Sequence, residues 1–305
     1  MRFLPARGIL LRSEATMTNS LALDTLRLQV MATLSAAGIT DSDVDAELLI
    51  GHVLGLGRGE VHARLILNDL VTDENAQLIR GLASRRAARE PLQHIVGVAW
   101  FRSLTLEVGP GVFVPRPETE QLAQMAIDAL RALAEPSPIG VDLGTGSGAI
   151  ALAMATEVPH ARIFAVEKSP EAMPWTSKNF ANLGAGNATL VQGDLADAFP
   201  ELNGTVAVVA SNPPYIPNDA IARDPEVHLH DPHVALYGGE DGLDIVRLVS
   251  QTGLRLARSG GALMMEHGEL QGNDIRTILR ADGWRAAATH RDLLGRDRYT
   301  SATRP

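Results

Sequence analysis

Asn212-Pro213-Pro214-Tyr215 brings together groups that can hold a planar NH₂. The side-chain oxygen of Asn212 can accept one of its protons. The carbonyl of Pro213 can accept the other, since a proline run leaves its carbonyls free to face a site. Tyr215 offers a flat face for an amide or a base. A rigid turn alone would explain the two prolines, but not the amide before them or the aromatic ring after them. An amide nitrogen is a poor nucleophile because its lone pair is delocalised into the carbonyl. Two acceptors on its protons would hold it and favour the partly pyramidal form that attacks a sulfonium methyl group. Alignment with that methyl would supply much of the rate, up to about 7–11 kcal/mol. The proton becomes acidic only after the new bond forms, so no histidine or carboxylate base is required.

A second group of residues suits a nucleoside. Val141-Asp142-Leu143-Gly144-Thr145-Gly146-Ser147-Gly148 leaves a strand and enters a helix. Glycines there allow a sharp turn and close approach of a ligand at the carboxyl end of the first strand. NAD is a competitor, but the spacing is G-x-G-x-G rather than the G-x-G-x-x-G of dinucleotide sites. Glu167 closes the next strand, where an acidic side chain can grip ribose hydroxyls. Gly193-Asp194 closes the third, where a carboxylate or backbone group can meet an adenine edge. One acidic strand end is commonly a helix cap, whereas three in series favour a nucleoside.

These residues need a parallel sheet to hold them. From Ile139 onward strands and helices alternate. Strands are predicted near 139–143, 162–167, 188–193, 205–211, 260–266, 284–291 and 297–303, with helices at 148–157, 169–183, 243–258 and 271–282. The last two strands are too close in sequence for a parallel crossover, so a final antiparallel hairpin is expected. Residues 91–117 hold Ile95, Val96, Val98, Trp100, Phe101, Leu104, Leu106 and Val108 among glycines and prolines, which predicts hairpin strands linking two domains. From Ser20 to Glu90 the pattern is helical: Leu23, Leu26, Val30 and Leu34 fall on one face, and Gly38 ends that helix. The expected domains are a helical bundle over 20–90, the hairpin over 91–117 and a catalytic α/β domain over 118–305. Residues 1–19 are expected to form a disordered extension, with Met17 as an alternative start.

Composition narrows the function classes. The 305 residues carry a formal charge of −9 and no cysteine. Disulfides, thiolate metal sites and cysteine nucleophiles are therefore excluded. An acidic chain is poorly suited to holding long DNA or RNA, which needs a basic face. No apolar run approaches the roughly 20 residues that span a bilayer. The expected address is the cytoplasm.

The chain resembles the PrmC/HemK family, the glutamine methyltransferases of class-1 release factors. Glu90-Pro91-Leu92-Gln93-His94-Ile95, Pro115-Arg116-Pro117-Glu118-Thr119-Glu120, Asp142 to Gly148, Asn212 to Ile216 and Gly238-Gly239-Glu240-Asp241-Gly242-Leu243 carry the likeness in order. It implies a class I S-adenosylmethionine methyltransferase fold: a Rossmann-like seven-stranded sheet with an antiparallel last strand, behind an N-terminal helical bundle. It also implies that Gly144, Thr145, Gly146, Ser147, Gly148, Glu167, Asp194, Leu195 and Asn212 bind S-adenosylmethionine. Asn212, Pro213, Pro214 and Tyr215 would hold the glutamine of a Gly-Gly-Gln motif, with the helical domain docking the rest of the release factor. Members often carry Asp at the position of Glu167 and an aromatic residue at that of Leu195; Leu195 forgoes ring stacking on adenine.

Other readings use the same residues. An N6-adenine or N4-cytosine nucleic-acid methyltransferase would share the tetrad, but needs base flipping and a basic recognition region. A non-catalytic nucleoside binder would not need an intact tetrad. His228, His230 and His233 lie in one segment, read as a lid over the site in preference to a metal centre. Arg116 is expected either at the cofactor's methionine carboxylate or paired with Glu118 or Glu120. Trp175 and Trp284 are read as core.

Overall fold

The computed structural model describes residues 20–221 and 224–305; the expected extension over 1–19 lies outside them. The chain divides into two compact units, one ending at Ala88 and the other running from Arg89 to Pro305.

The first unit contains β1 (Ser20–Ala22), α1 (Leu23–Ala36), α2 (Ser42–Leu54), α3 (Arg58–Ile66), β2 (Leu70–Thr72) and α4 (Asp73–Ala87). The residues that share one face of α1 by spacing, Leu23, Leu26, Val30 and Leu34, are its buried ones. Helices α1, α2 and α4 pack against one another and enclose Leu49, Ile50 and Ile79. An ion pair at 2.7 Å between the buried Asp45 and Arg86 ties α2 to α4. β1 and β2 pair antiparallel, Ser20 opposite Thr72. Strands of three residues are too short to show an alternating pattern, so this stretch reads as helical throughout.

The second unit opens with α5 (Leu92–Val96), β3 (Val98–Phe101), β4 (Leu104–Glu107) and α6 (Thr119–Arg131). Ile95 and Val96, expected in a strand, belong to a helical turn instead. Ile95 N donates to Pro91 O and Gly97 N to Gln93 O, and Leu92, Ile95 and Val96 are all buried. Their spacing of three and four is the helical period, hidden in a run of only five residues.

There follow β5 (Ile139–Leu143), α7 (Ala149–Glu157), β6 (Arg162–Glu167), α8 (Met173–Leu183), β7 (Ala188–Gln192) and β8 (Val206–Ser211). The chain continues through α9 (Pro225–His230), α10 (His233–Leu236), α11 (Asp244–Leu256), β9 (Ala257–Glu266), α12 (Gly272–Asp282), β10 (Arg285–Arg291) and β11 (Asp297–Thr303). The seven strands are ordered β10-β11-β9-β8-β5-β6-β7. β5 pairs parallel with both β6 and β8, while β11 lies antiparallel between β9 and β10. This is the α/β sheet with an antiparallel final hairpin predicted from the alternation. One apolar cluster, with α6 and α7, covers one face, and a second, with α11 and α12, covers the other. Trp284 lies in the second cluster, 2% exposed. Trp175 is only half-buried, against the cluster formed by Ala99, Val108, Val112, Val114 and Ala172. The strand order reverses between β5 and β8, and it is at such a switch point that open α/β sheets form their ligand crevice.

Candidate active site

The carboxyl ends of β5, β6, β7 and β8 open into a cavity of about 840 Å³, large enough for a nucleoside cofactor and an incoming side chain. Gly144 to Ser147, Glu167, Asp194, Leu195 and Asn212 to Tyr215 all line it. Gly148 lies behind the wall. A Cβ added there would stand 2.9 Å from the Phe180 ring and 3.0 Å from Leu152, so this glycine serves packing. Gly144 and Gly146 have φ of +75° and +57°, and a Cβ on either would meet nothing within 4 Å. Their backbone therefore faces open space, as a cradle for a bound group requires.

Several bonds hold that loop in place. Gly144 N and Thr145 N donate to Val166 O, joining the turn to β6. The Glu167 carboxylate accepts from Gly146 N at 2.8 Å and from Ser169 N at 2.7 Å. Each of its oxygens keeps a further lone pair, so the same carboxylate can brace the loop and still receive a hydroxyl. Thr176 and Asn179 of α8, which the sequence did not single out, complete the brace. Thr176 Oγ1 donates to Gly146 O at 2.6 Å, and Asn179 Nδ2 to Ser147 O at 2.9 Å. Asn179 also receives Glu107 N and donates to Glu107 O, linking the loop to β4. These two are the buried residues of α8, and no sequence signal separates them from the polar Ser177 and Lys178 between them.

Beneath the loop, Asp142 is fully buried and accepts from Thr145 Oγ1 at 2.6 Å and Ala151 N at 3.1 Å. Among the described residues its Oδ1 has no partner. Burial raises this carboxyl to about 7, against the opposing pull of those two donors. At the third strand end, Asp194 caps a 3₁₀ turn through Ala196 N and pairs with Lys168 at 2.8 Å. That hydrogen-bonded ammonium holds the Asp194 carboxyl below its usual range. Leu195 packs its side chain against the second core cluster.

The tetrad leaves β8 with Ser211 Oγ donating to Leu143 O at 2.6 Å, which fastens it to the end of β5. Asn212 Nδ2 donates to Thr119 Oγ1 at 3.2 Å. Among the described residues no donor reaches Asn212 Oδ1 or the Pro213 carbonyl. Both acceptors expected to meet an NH₂ group are thus free. Tyr215 lies between two partners, Glu266 Oε1 at 3.5 Å and Arg298 Nη1 at 3.4 Å, both long contacts.

The segment Gly238 to Leu243 buttresses the tetrad from behind. Ile216 N donates to Leu236 O and Gly238 N to Ile216 O. A Cβ on Gly238 would lie 2.5 Å from Pro214 O, so only glycine permits that approach.

Arg116 pairs with neither Glu118 nor Glu120. Its Nη2 lies 2.5 Å from Oδ2 of the buried Asp231, a partner more than a hundred residues away that local sequence could not indicate. Its guanidinium also stacks over Phe113. His228 and His230 lie on α9, and His233 stacks on Tyr237 with centroids 4.1 Å apart. Val227, Pro232, Val234 and Leu236 from the same segment line the cavity.

Comparison with known proteins bears on both units. Residues 25–97 match the family described as the PrmC N-terminal domain, and 104–225 the methyltransferase small domain. A protein of Streptomyces coelicolor named release factor glutamine methyltransferase is 48% identical, across 90% of this chain and 95% of its own. One of the same name from Mycolicibacterium smegmatis is 44% identical, across 90% and 94%. A Streptomyces pristinaespiralis protein named 4-amino-L-phenylalanine/4-methylamino-L-phenylalanine methyltransferase is 40% identical, across 84% and 87%.

Proposed function

The chain belongs to the release factor glutamine methyltransferase family, and we propose that it methylates the side-chain amide nitrogen (N5) of the glutamine in the Gly-Gly-Gln motif of class-1 peptide-chain release factors. It is an S-adenosylmethionine-dependent enzyme. The observation that carries the reading of the site is the pair of acceptors, Asn212 Oδ1 and the Pro213 carbonyl, that meet no donor among the described residues and belong to residues lining the cavity.

When bound, S-adenosylmethionine supplies an electrophilic methyl group on a sulfonium. The fit of the cavity to it rests on the open cradle at Gly144 and Gly146. In our reading Gly144 to Ser147 approach the cofactor with backbone, while Gly148 packs behind them, Glu167 receives ribose hydroxyls, and Asp194 and Leu195 border the adenine. Asn212 and Pro213 accept the two amide protons of the substrate, Pro214 stiffens the turn, and Tyr215 lies flat against the amide. A Gly-Gly-Gln tip suits this pocket because glycines carry no side chain to obstruct entry.

The helical unit would recognise the body of the release factor. A net charge of −9 supports a protein substrate over a nucleic acid. Among the described residues no helix is long and apolar enough to cross a membrane; the cytoplasm is the address that suits a translation substrate. Purified release factor, DNA, RNA and 4-amino-L-phenylalanine, each incubated with labelled cofactor, test the reading. Label should enter only the release factor and vanish when its motif glutamine becomes alanine. Labelling of nucleic acid or of the free arylamine, with none in the factor, would refute it.

A further inference from the structure

Asn212 can serve as an acceptor only if its amide is turned the right way, with Oδ1 toward the cavity and Nδ2 away. Nothing within the tetrad decides this, because the two ends of the amide have nearly the same shape. The decision comes from β9 and α6. Glu266, at the end of β9, is 1% exposed, and its Oε2 accepts from Thr119 Oγ1 at 2.8 Å. Thr119 has one hydroxyl proton and it goes to the carboxylate. Its oxygen is then left only with acceptor capacity, and it meets Asn212 Nδ2 at 3.2 Å. The other oxygen of Glu266 lies 3.5 Å from Tyr215 OH, so a single carboxylate reaches both ends of the tetrad.

We infer that Glu266 and Thr119 are positioning residues that set the polarity of the Asn212 amide. The chain of donors runs one way, from Asn212 to Thr119 to Glu266, and it leaves Oδ1 as the group offered to the incoming NH₂. Reversing Glu266 reverses the chain. A protonated Glu266 donates to Thr119, whose own proton then turns to Asn212 and draws Oδ1 inward, presenting an NH₂ to an NH₂.

Glu266 is faced by Thr119 and Glu118 at the start of α6, Tyr215 after β8, Arg298 and Tyr299 of β11, and its neighbour His267. Burial outweighs the Thr119 hydrogen bond and Arg298, lifting the carboxyl to about 7. The active form is the carboxylate, so turnover should rise with pH through that value.

The inference rests on the proposed substrate, and its test separates the two. Thr119→Val keeps the shape and removes the hydroxyl. It should lower kcat on the release factor about a hundredfold, the scale of a misplaced reacting group. KM for the factor and affinity for the cofactor should stay at wild-type values. Thr119→Ser should restore turnover, and Glu266→Gln should abolish the rise of kcat near pH 7. Equal kcat in Thr119→Val and wild type, failure of Thr119→Ser to rescue, or an unchanged pH rise in Glu266→Gln would overturn the relay.

A further readout needs no methyl acceptor. The Asn212 side-chain NH₂ resonances, assigned by their loss in Asn212→Asp, should exchange slowly with solvent in the wild type and fast in Thr119→Val. Fast exchange in both would refute the relay even if no release factor is methylated. Slow exchange in the wild type, with no label in the factor, would refute the substrate and leave the relay standing.

Discussion

Residues proposed to bind the cofactor also brace the backbone around them, so a substitution there acts on both. Asn212→Ala removes an acceptor that nothing else supplies. We expect kcat to fall at least about a hundredfold, the scale set by misplacement, with the chain still folded and still able to bind cofactor; full turnover would remove the tetrad from the mechanism. Glu167→Ala deletes the proposed ribose contact and also the partner of Gly146 N and Ser169 N. Bonds to a charged group run about 1.5–3 kcal/mol each, so cofactor affinity measured by calorimetry should fall about ten- to a hundredfold. Unchanged affinity would move the ribose contact elsewhere. Glu167→Gln keeps acceptor capacity at one oxygen only, so it should fall between the two.

At the scale of elements, the tetrad is shaped by the Gly238–Leu243 segment packed against its backbone. Gly242 has φ of +74°, and a Cβ there would approach Tyr215 O and lie 3.0 Å from Pro217 N. Gly242→Ala must therefore displace the backbone of the tetrad. We expect a drop in kcat together with a destabilisation of about 1–3 kcal/mol, from the left-handed conformation plus the contact. Chemical denaturation and single-turnover rates measure these. A variant with wild-type rate would show that the Gly238–Leu243 segment can move away from the tetrad freely. The glycine loop is braced differently, by side chains of α8. Asn179→Ala should weaken cofactor binding, because it frees the Ser147 carbonyl and both Glu107 backbone groups it now satisfies.

For the whole molecule, two consequences follow. The first concerns pH. Asp142 has an ordinary value near 3.8, raised in the folded chain to about 7 by burial. The folded state therefore holds this proton longer than the unfolded state does. The stability that Asp142 contributes is fully present below about 4 and is lost as pH rises to about 7. Asp142→Asn removes that loss, so its melting temperature relative to wild type should be higher at pH 8 than at pH 4.5. An equal difference at both values would show that Asp142 does not titrate in this window. The second concerns the helical unit, none of whose described residues belongs to the cavity lining. A form comprising residues 89–305 should keep its cofactor affinity, the folding control, and lose methylation of the intact release factor. Undiminished methylation would take recognition away from residues 20–88.

Local pattern determined the scaffold. The alternation from Ile139 placed each strand within a few residues of its position, because a parallel strand buried on both faces must be an apolar run of strand length. The short gap before the last strand was enough to demand an antiparallel hairpin. Spacing alone also picked out the buried face of α1. It failed where elements span scarcely more than one period of their own pattern, at β1, β2 and the single turn of α5. The glycine turn, Glu167, Asp194 and the tetrad could be found because each follows a strand, and strand ends of such a sheet converge. What the sequence could not provide was their partners. Arg116 pairs with Asp231 across 115 positions, Thr119 with Glu266 across 147, and Asn179 with Glu107 across 72. No periodicity links such pairs. Thr119 meets Glu266 because the sheet order brings β8 and β9 side by side and lays α6 beside both, and Asn179 meets Glu107 because α8 packs against β4. Residue types at strand ends state which groups are offered; only the packed sheet decides which way each hydrogen bond runs, because a polar group that loses water takes the partner the fold puts within reach.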